Sequence, residues 1–139
     1  MTLVLDASAA LAWIYAREKA DEAACAERIL LEMAETAIIV PALWHIEIAN
    51  ALLTGERRKI ITEAQAFDYL ARLARLPIVV DNVLLATRHE QIMALARAYK
   101  LSAYDATYLE LALRTGAALA TFDGKLAAAM QGAGGRVFA

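Results

Sequence analysis

Four carboxylates in this chain stand where a carboxylate is costly. Asp6 ends the apolar run Leu3-Val4-Leu5, and Asp123 follows the apolar run Ala117 to Phe122 in the same way. Glu47 lies in a stretch, residues 41–54, whose helical projection is apolar almost all round. Its only polar companions there, Asn50 and Thr54, share one narrow stripe with it at i, i+3, i+7. Asp105 falls in the first turn of a helix opened by Ser102. It shares the apolar side with Tyr108, Leu109, Ala112 and Leu113, while Thr107, Glu110 and Arg114 share the other. An unpartnered carboxylate in such surroundings carries a large desolvation penalty.

Each acid has a local explanation. Asp6 and Asp123 can cap the helices that follow them, with Ser8 assisting Asp6. Asp105 stands three residues after Ser102, in the position of a capping box, and suits the helix dipole. Glu47 is either a partly buried functional acid or part of a thin solvent-facing strip. The four gain a joint explanation from the elements that carry them.

Those elements alternate. Leu3-Val4-Leu5, Ala37-Ile38-Ile39-Val40, Pro77-Ile78-Val79-Val80 and Ala117 to Thr121 read as strands. Helices are expected over Ala7–Arg17, Ala20–Ala34 and Pro41–Thr54, the last ended by Gly55. Further helices are expected from Thr62, capped with Gln65 at the box position, and over about Val83–Tyr99 and Ser102–Arg114. The helix after Thr62 is expected to bury Phe67, Leu70, Ala71 and Ala74. The helix ending at Tyr99 should pack through Leu85, His89, Ile92, Ala96 and Tyr99. Arg136 to Ala139 suggests a final edge strand. Strands alternating with helices imply a parallel sheet with right-handed crossovers, so all strand C-termini lie on one rim. Asp6 and Asp123 reach that rim directly, where open α/β sheets take their ligands. Asp105 and Glu47 enter it from helices.

Composition bounds the rest. At 139 residues one domain, 1–139, is expected. The chain is 60% hydrophobic, with a mean hydropathy of +0.45, yet no run suits a bilayer span. The N-terminus has no basic leader, and Asp6 interrupts its apolar stretch, which argues against a signal peptide. The excess apolar surface is expected to cover a partner or a second copy of the chain. Cys25 is single, so no internal disulfide forms, in keeping with a cytoplasmic location. A net charge of −2 argues against a generic nucleic-acid coat. Setting the four acids aside, however, leaves 14 basic against 12 acidic residues. Glu56-Arg57-Arg58-Lys59 is either a solvated turn or a phosphate contact.

Crowded carboxylates raise one another's pKa, and a hard divalent cation relieves that repulsion. An all-oxygen set suits Mg²⁺ or Mn²⁺. His45 reads as a core or interface histidine and His89 as a packed one, with no Cys or His cluster of metal spacing, so zinc is disfavoured. Such a site suits phosphodiester hydrolysis by a metal-activated water, with one metal or with two about 3.5–4 Å apart.

The runs Leu3 to Ser8, Pro41 to Leu52, Leu101 to Tyr108 and Leu119 to Asp123 together resemble the PIN domain, and more narrowly the VapC-type toxins of toxin–antitoxin pairs. The resemblance spans essentially the whole chain. It implies a three-layer α/β/α, Rossmann-like parallel sheet and a Mg²⁺- or Mn²⁺-dependent endoribonuclease acting on RNA. Carried over by position, it implies that Asp6 and Asp105 are the principal metal ligands, that Glu47 and Asp123 are further acids of the site, and that Ser8, Asn50 and Thr121 support them. It also implies a homodimer inhibited by a VapB-type antitoxin.

Two other readings compete. A phosphotransfer protein could use Asp6 as nucleophile, but haloacid-dehalogenase-like enzymes want a second Asp where this chain has Ser8, and receiver domains want an acidic pair at the first strand. A catalytically silent PIN-fold binding module would not need four intact acids.

Overall fold

The computed structural model describes all 139 residues. Four short strands, β1 (Thr2–Leu5), β2 (Ala37–Val40), β3 (Ile78–Val80) and β4 (Ala118–Ala120), pair in parallel in the order β3-β2-β1-β4. In register, Val4 lies between Ile39 and Leu119. Leu3, Val4 and Leu5 are at most 1% exposed, as expected of a parallel strand covered on both faces.

Helices flank the sheet. They are α1 (Ala7–Ala10), α2 (Ala20–Glu32), α3 (Leu43–Arg57), α4 (Glu63–Leu73), α5 (His89–Tyr99), α6 (Ala103–Thr115) and α7 (Gly124–Gly132). The chain steps outward from β1 to β2 to β3, then crosses back to place β4 on the far side of β1. With crossovers of one hand, that reversal puts α5 and α6 on the face opposite α1–α4. It also opens a crevice beyond the C-terminal ends of β1 and β4. None of the helices is long and apolar enough to cross a membrane.

Several expectations are revised. The first helix does not reach Arg17. After α1 it tightens into a 3₁₀ turn, Leu11–Trp13, because Trp13 Nε1 donates to the Ala26 carbonyl (2.9 Å) and Tyr15 Oη to the Ala51 carbonyl (2.9 Å). Gly55 does not end α3. It is buried inside the helix, where a Cβ would lie 2.0 Å from Tyr15 Oη. The glycine is there for close approach, and the left-handed turn falls on Lys59, at φ 58°. The helix also starts at Leu43 rather than Pro41.

The Thr62–Gln65 capping box forms as expected, with both hydrogen bonds made. The buried face of α4 is nonetheless Ala66, Tyr69 and Leu73, rotated from expectation because Tyr69 Oη donates to the Ala10 carbonyl (2.6 Å). Phe67 is left 76% exposed. Ahead of α5, Leu85–Arg88 forms a 3₁₀ turn rather than a regular helix, with Thr87 Oγ1 bonded back to the Leu84 carbonyl. His89 is exposed rather than packed. His45 is not in the core of this chain, and its ring stands edge-on to Trp44, 4.9 Å between centroids. The expected edge strand at the C-terminus is a single parallel bridge, Leu119 to Val137, lying along β4. Finally, α6 has no solvent-facing polar side through its middle: every residue from Ala106 to Ala112 is buried, Thr107 and Glu110 included.

Candidate functional site

The crevice at the ends of β1 and β4 is held together by hydroxyls. The Asp6 amide donates to the Ala120 carbonyl (2.9 Å), which sets the two strand ends side by side. The Asp6 carboxylate then accepts from Ser8 Oγ (2.6 Å) and from Thr121 Oγ1 (2.6 Å). Ser8 Oγ also accepts from the Phe122 amide (2.9 Å), and Thr121 Oγ1 accepts from the Asp123 amide (3.0 Å). Asp6 is 5% exposed and holds the N-cap position of α1, but its carboxylate makes no capping hydrogen bond. Asp123 does cap its helix. Its Oδ1 accepts from the Lys125 and Leu126 amides, both at 3.0 Å.

The two helical acids approach from opposite sides of the sheet. Asp105 is half-buried in the first turn of α6. Ser102 Oγ accepts from the Asp105 amide (3.1 Å), but the carboxylate makes no return bond, so the capping box is half-formed and the carboxylate is free. Glu47, on α3, is half-buried and accepts a 2.5 Å hydrogen bond from Tyr108 Oη of α6. Asn50 is exposed and hydrogen bonds to none of the acids.

The electrostatics follow from burial and repulsion. Burial raises the Asp6 carboxyl above the usual carboxylate range, the Ser8 and Thr121 hydroxyls pull it back, and the charge of Asp123 adds to the rise. Burial raises Asp105, with Asp123 and Asp6 adding and Lys125 opposing. Burial also raises Glu47; the Tyr108 bond opposes this, and Asp6 and Asp105 reinforce it. None of the four acids forms an ion pair with an Arg, Lys or His. The cluster is therefore an all-oxygen donor set that lacks a counter-charge. As placed, no three acidic, His or Cys side chains converge closely enough to form a ready-made cage.

Two site features escaped the sequence reading. Tyr108 was grouped with the apolar side of its helix, yet its hydroxyl holds Glu47. The signal was its i+3 spacing from Asp105, which puts both on one face. Glu110 was placed on a polar face but is 4% exposed, held by Arg88 (3.0 Å) and Arg114 (2.7 Å), with Arg114 also on Asp81 (2.7 Å).

With this geometry in place, three comparisons bear on the chain. The family model described as PIN domain matches residues 3–130. A curated relative, Ribonuclease VapC3 of Pyrobaculum aerophilum, is 32% identical over 127 residues, covering 91% of this chain and 93% of that protein. Among solved structures, PAE2754 from Pyrobaculum aerophilum superposes with a TM-score of 0.67 at 26% identity, over 93% of this chain and 79% of that one. FitAcB from Neisseria gonorrhoeae superposes with a TM-score of 0.65 over 99% of this chain and 96% of that one; at 16% identity it speaks to the fold alone.

Proposed function

We propose that this chain, which belongs to the PIN domain family, is a Mg²⁺- or Mn²⁺-dependent endoribonuclease and the toxin of a toxin–antitoxin pair. The observation that carries the proposal is the acid cluster at the β1–β4 crevice, in which hydroxyls hold Asp6 and Glu47, amides hold Asp123, and no cation pairs with any of the four. The 32% identical relative is named a ribonuclease, which supplies the substrate class.

The donor set fits a hard divalent cation. Mg²⁺ takes one or two carboxylates and keeps several waters, so it needs no closed protein cage. Asp6 and Asp105 would be its principal ligands, with Glu47 and Asp123 as the further acids of the set. When bound, such a cation lowers the pKa of a coordinated water and offsets charge on the phosphate oxygens. The chain's own residues do the rest. Ser8 and Thr121 fix the Asp6 carboxylate in one orientation by donating to the same oxygen, Oδ2. Tyr108 fixes Glu47, leaving its second oxygen able to accept a proton from the attacking water. Asp123 is tied to two amides by Oδ1, which leaves Oδ2 without a protein hydrogen-bond donor.

The reading extends to partners. Ile46 (73% exposed) and Leu53 on α3, Phe67 (76%) and Leu70 on α4 and Val79 (62%) on β3 leave large side chains uncovered. A second copy of the chain would cover part of that surface, and a VapB-type antitoxin would close the crevice.

The test is cleavage of cellular RNA with Mg²⁺, with Mn²⁺ and with chelator, wild type beside Asp6→Asn. Discrete metal-dependent products lost in the variant establish the activity. Equal products from both proteins would dismiss the site. Metal binding without any products would leave a silent binding module.

A further inference from the structure

A second groove starts at the acid cluster and differs from it in charge. It has a volume of about 410 Å³ and is lined by Ser8, Leu11, Tyr15, Arg17, Thr54 and Arg58, among others. Ser8 is the joint between the two, since its hydroxyl donates to Asp6. No acidic residue lines the groove, although the chain as a whole is net negative. The cavity that Asp123 lines is different: Asp21 and Glu22 line it too, against the single cation Lys19. A polyanion leaving the cluster therefore meets less negative charge along the groove.

The groove is built, not incidental. Along α3, Glu47, Ala51, Thr54 and Arg58 follow one stripe, a run of about 16 Å at the helical rise. Gly55 on α3 lets Tyr15 lie against the helix, and Tyr15 Oη anchors to the Ala51 carbonyl. Leu11, Tyr15, Ala51 and Ile60 supply the apolar part of the lining, beside Arg17 and Arg58. Arg17 is fixed, bonded to Glu22 (2.6 Å) and laid over the Phe122 ring at 5.1 Å. Arg58 is exposed and has no carboxylate within ion-pair distance.

We propose that this groove binds the backbone of single-stranded RNA next to the scissile position, with Arg58 contacting a phosphate and Arg17 lining the opposite wall. The inference rests on the ribonuclease reading and deepens it. It gives the RNA a direction across the protein, from the acid cluster along α3 toward Arg58.

The experiment is fluorescence anisotropy of a labelled, mixed-sequence single-stranded oligoribonucleotide in chelator over a series of salt concentrations. Wild type is compared with Arg58→Ala, Arg58→Lys and Arg97→Ala, the last an exposed cation of α5 outside the groove. A parallel Mn²⁺ cleavage assay of wild type is run beside it. Arg58→Ala is expected to weaken binding and to reduce the slope of log K against log salt by about 0.7, the value for one phosphate contact on a single strand. Arg58→Lys keeps the slope and Arg97→Ala changes nothing. Wild-type affinity and slope in Arg58→Ala would overturn the inference, and would leave the groove to a protein partner. If wild type cuts RNA while Arg58→Ala binds it unchanged, the ribonuclease reading survives and the groove assignment falls. If Arg58 sets the RNA affinity of a protein that cuts nothing, the groove assignment stands and the ribonuclease reading falls. A wild type that neither binds nor cuts RNA overturns both.

Discussion

One helix, α6, carries two buried acids with opposite solutions to the same problem. Near its start Asp105 faces Asp6 and Asp123 across a crevice with no cation paired to any of them. About a turn and a half on, Glu110 is more deeply buried and is met by Arg88 and Arg114, with Asp81 completing the network. The Glu110 cluster is closed, since every carboxylate in it has a guanidinium. The Asp6 cluster is open: hydroxyls orient Asp6 and Glu47 without neutralising them, and the Asp105 carboxylate makes no hydrogen bond. The difference separates buried acids that tie elements together from acids left without a counter-charge. It also explains why burial alone is a poor guide to function: Glu110 and Asp6 are almost equally hidden.

The contrast can be broken most severely at Asp6. Asp6→Asn keeps an acceptor for Ser8 and Thr121 but removes charge from the open cluster, so RNA cleavage should fall to background while the circular dichroism spectrum stays native. Cleavage at the wild-type rate would show that the open cluster is not catalytic. In the closed cluster the same kind of change should act on stability. Glu110→Gln leaves two guanidinium groups partly buried without their shared acid, and thermal or urea unfolding should report a loss of about 3 kcal/mol. An unchanged midpoint would mean that the network is solvated.

How much of this contrast the sequence reveals depends on whether a signal is local. Asp6, Asp105 and Asp123 each stand beside an apolar run, and strand–acid–helix order alone places two of them on one rim. The parallel sheet, its four strands and the Thr62 capping box were legible for the same reason, since each depends on neighbours in the chain. What sequence spacing misses is set by distant partners. Gly55 reads as a helix end until Tyr15, forty residues earlier, is seen to need its space. The face of α4 turns because Tyr69 finds the Ala10 carbonyl. Glu110 reads as surface because its partner Arg88, and the Asp81 that joins the network through Arg114, lie outside its own helix.

A subtler change sharpens the comparison within the open cluster. Tyr108→Phe removes the hydrogen bond to Glu47 without opening a cavity. Cleavage or metal affinity should fall about tenfold, at the low end for a group that orients a ligand, with the melting temperature little changed. A fall as large as that of Asp6→Asn would make Tyr108 more than a positioning residue.

The smallest effect is in the pH dependence of metal-free stability, and its sign is unusual for carboxylates. Asp6, Glu47 and Asp105 have folded pKa values raised above their unfolded ones, chiefly by burial. Between the unfolded and folded values the native state holds more protons than the unfolded state, so these groups make stability fall as pH rises through that window. Above the folded values the penalty is constant. Asp6→Asn escapes its share. In chelator, its melting temperature relative to wild type should therefore climb as pH rises from the ordinary carboxylate range and then level off. A gap that narrows with rising pH would contradict the assigned shifts.

The most direct test is a calorimetric titration of Mn²⁺ into wild type, Asp105→Asn and Asp81→Asn. The first variant alters the open cluster and the second the closed one. The account predicts that wild type and Asp81→Asn bind the ion alike and that Asp105→Asn loses it. Undiminished binding by Asp105→Asn, or loss confined to Asp81→Asn with the fold intact, would contradict the assignment of the cation to the β1–β4 crevice.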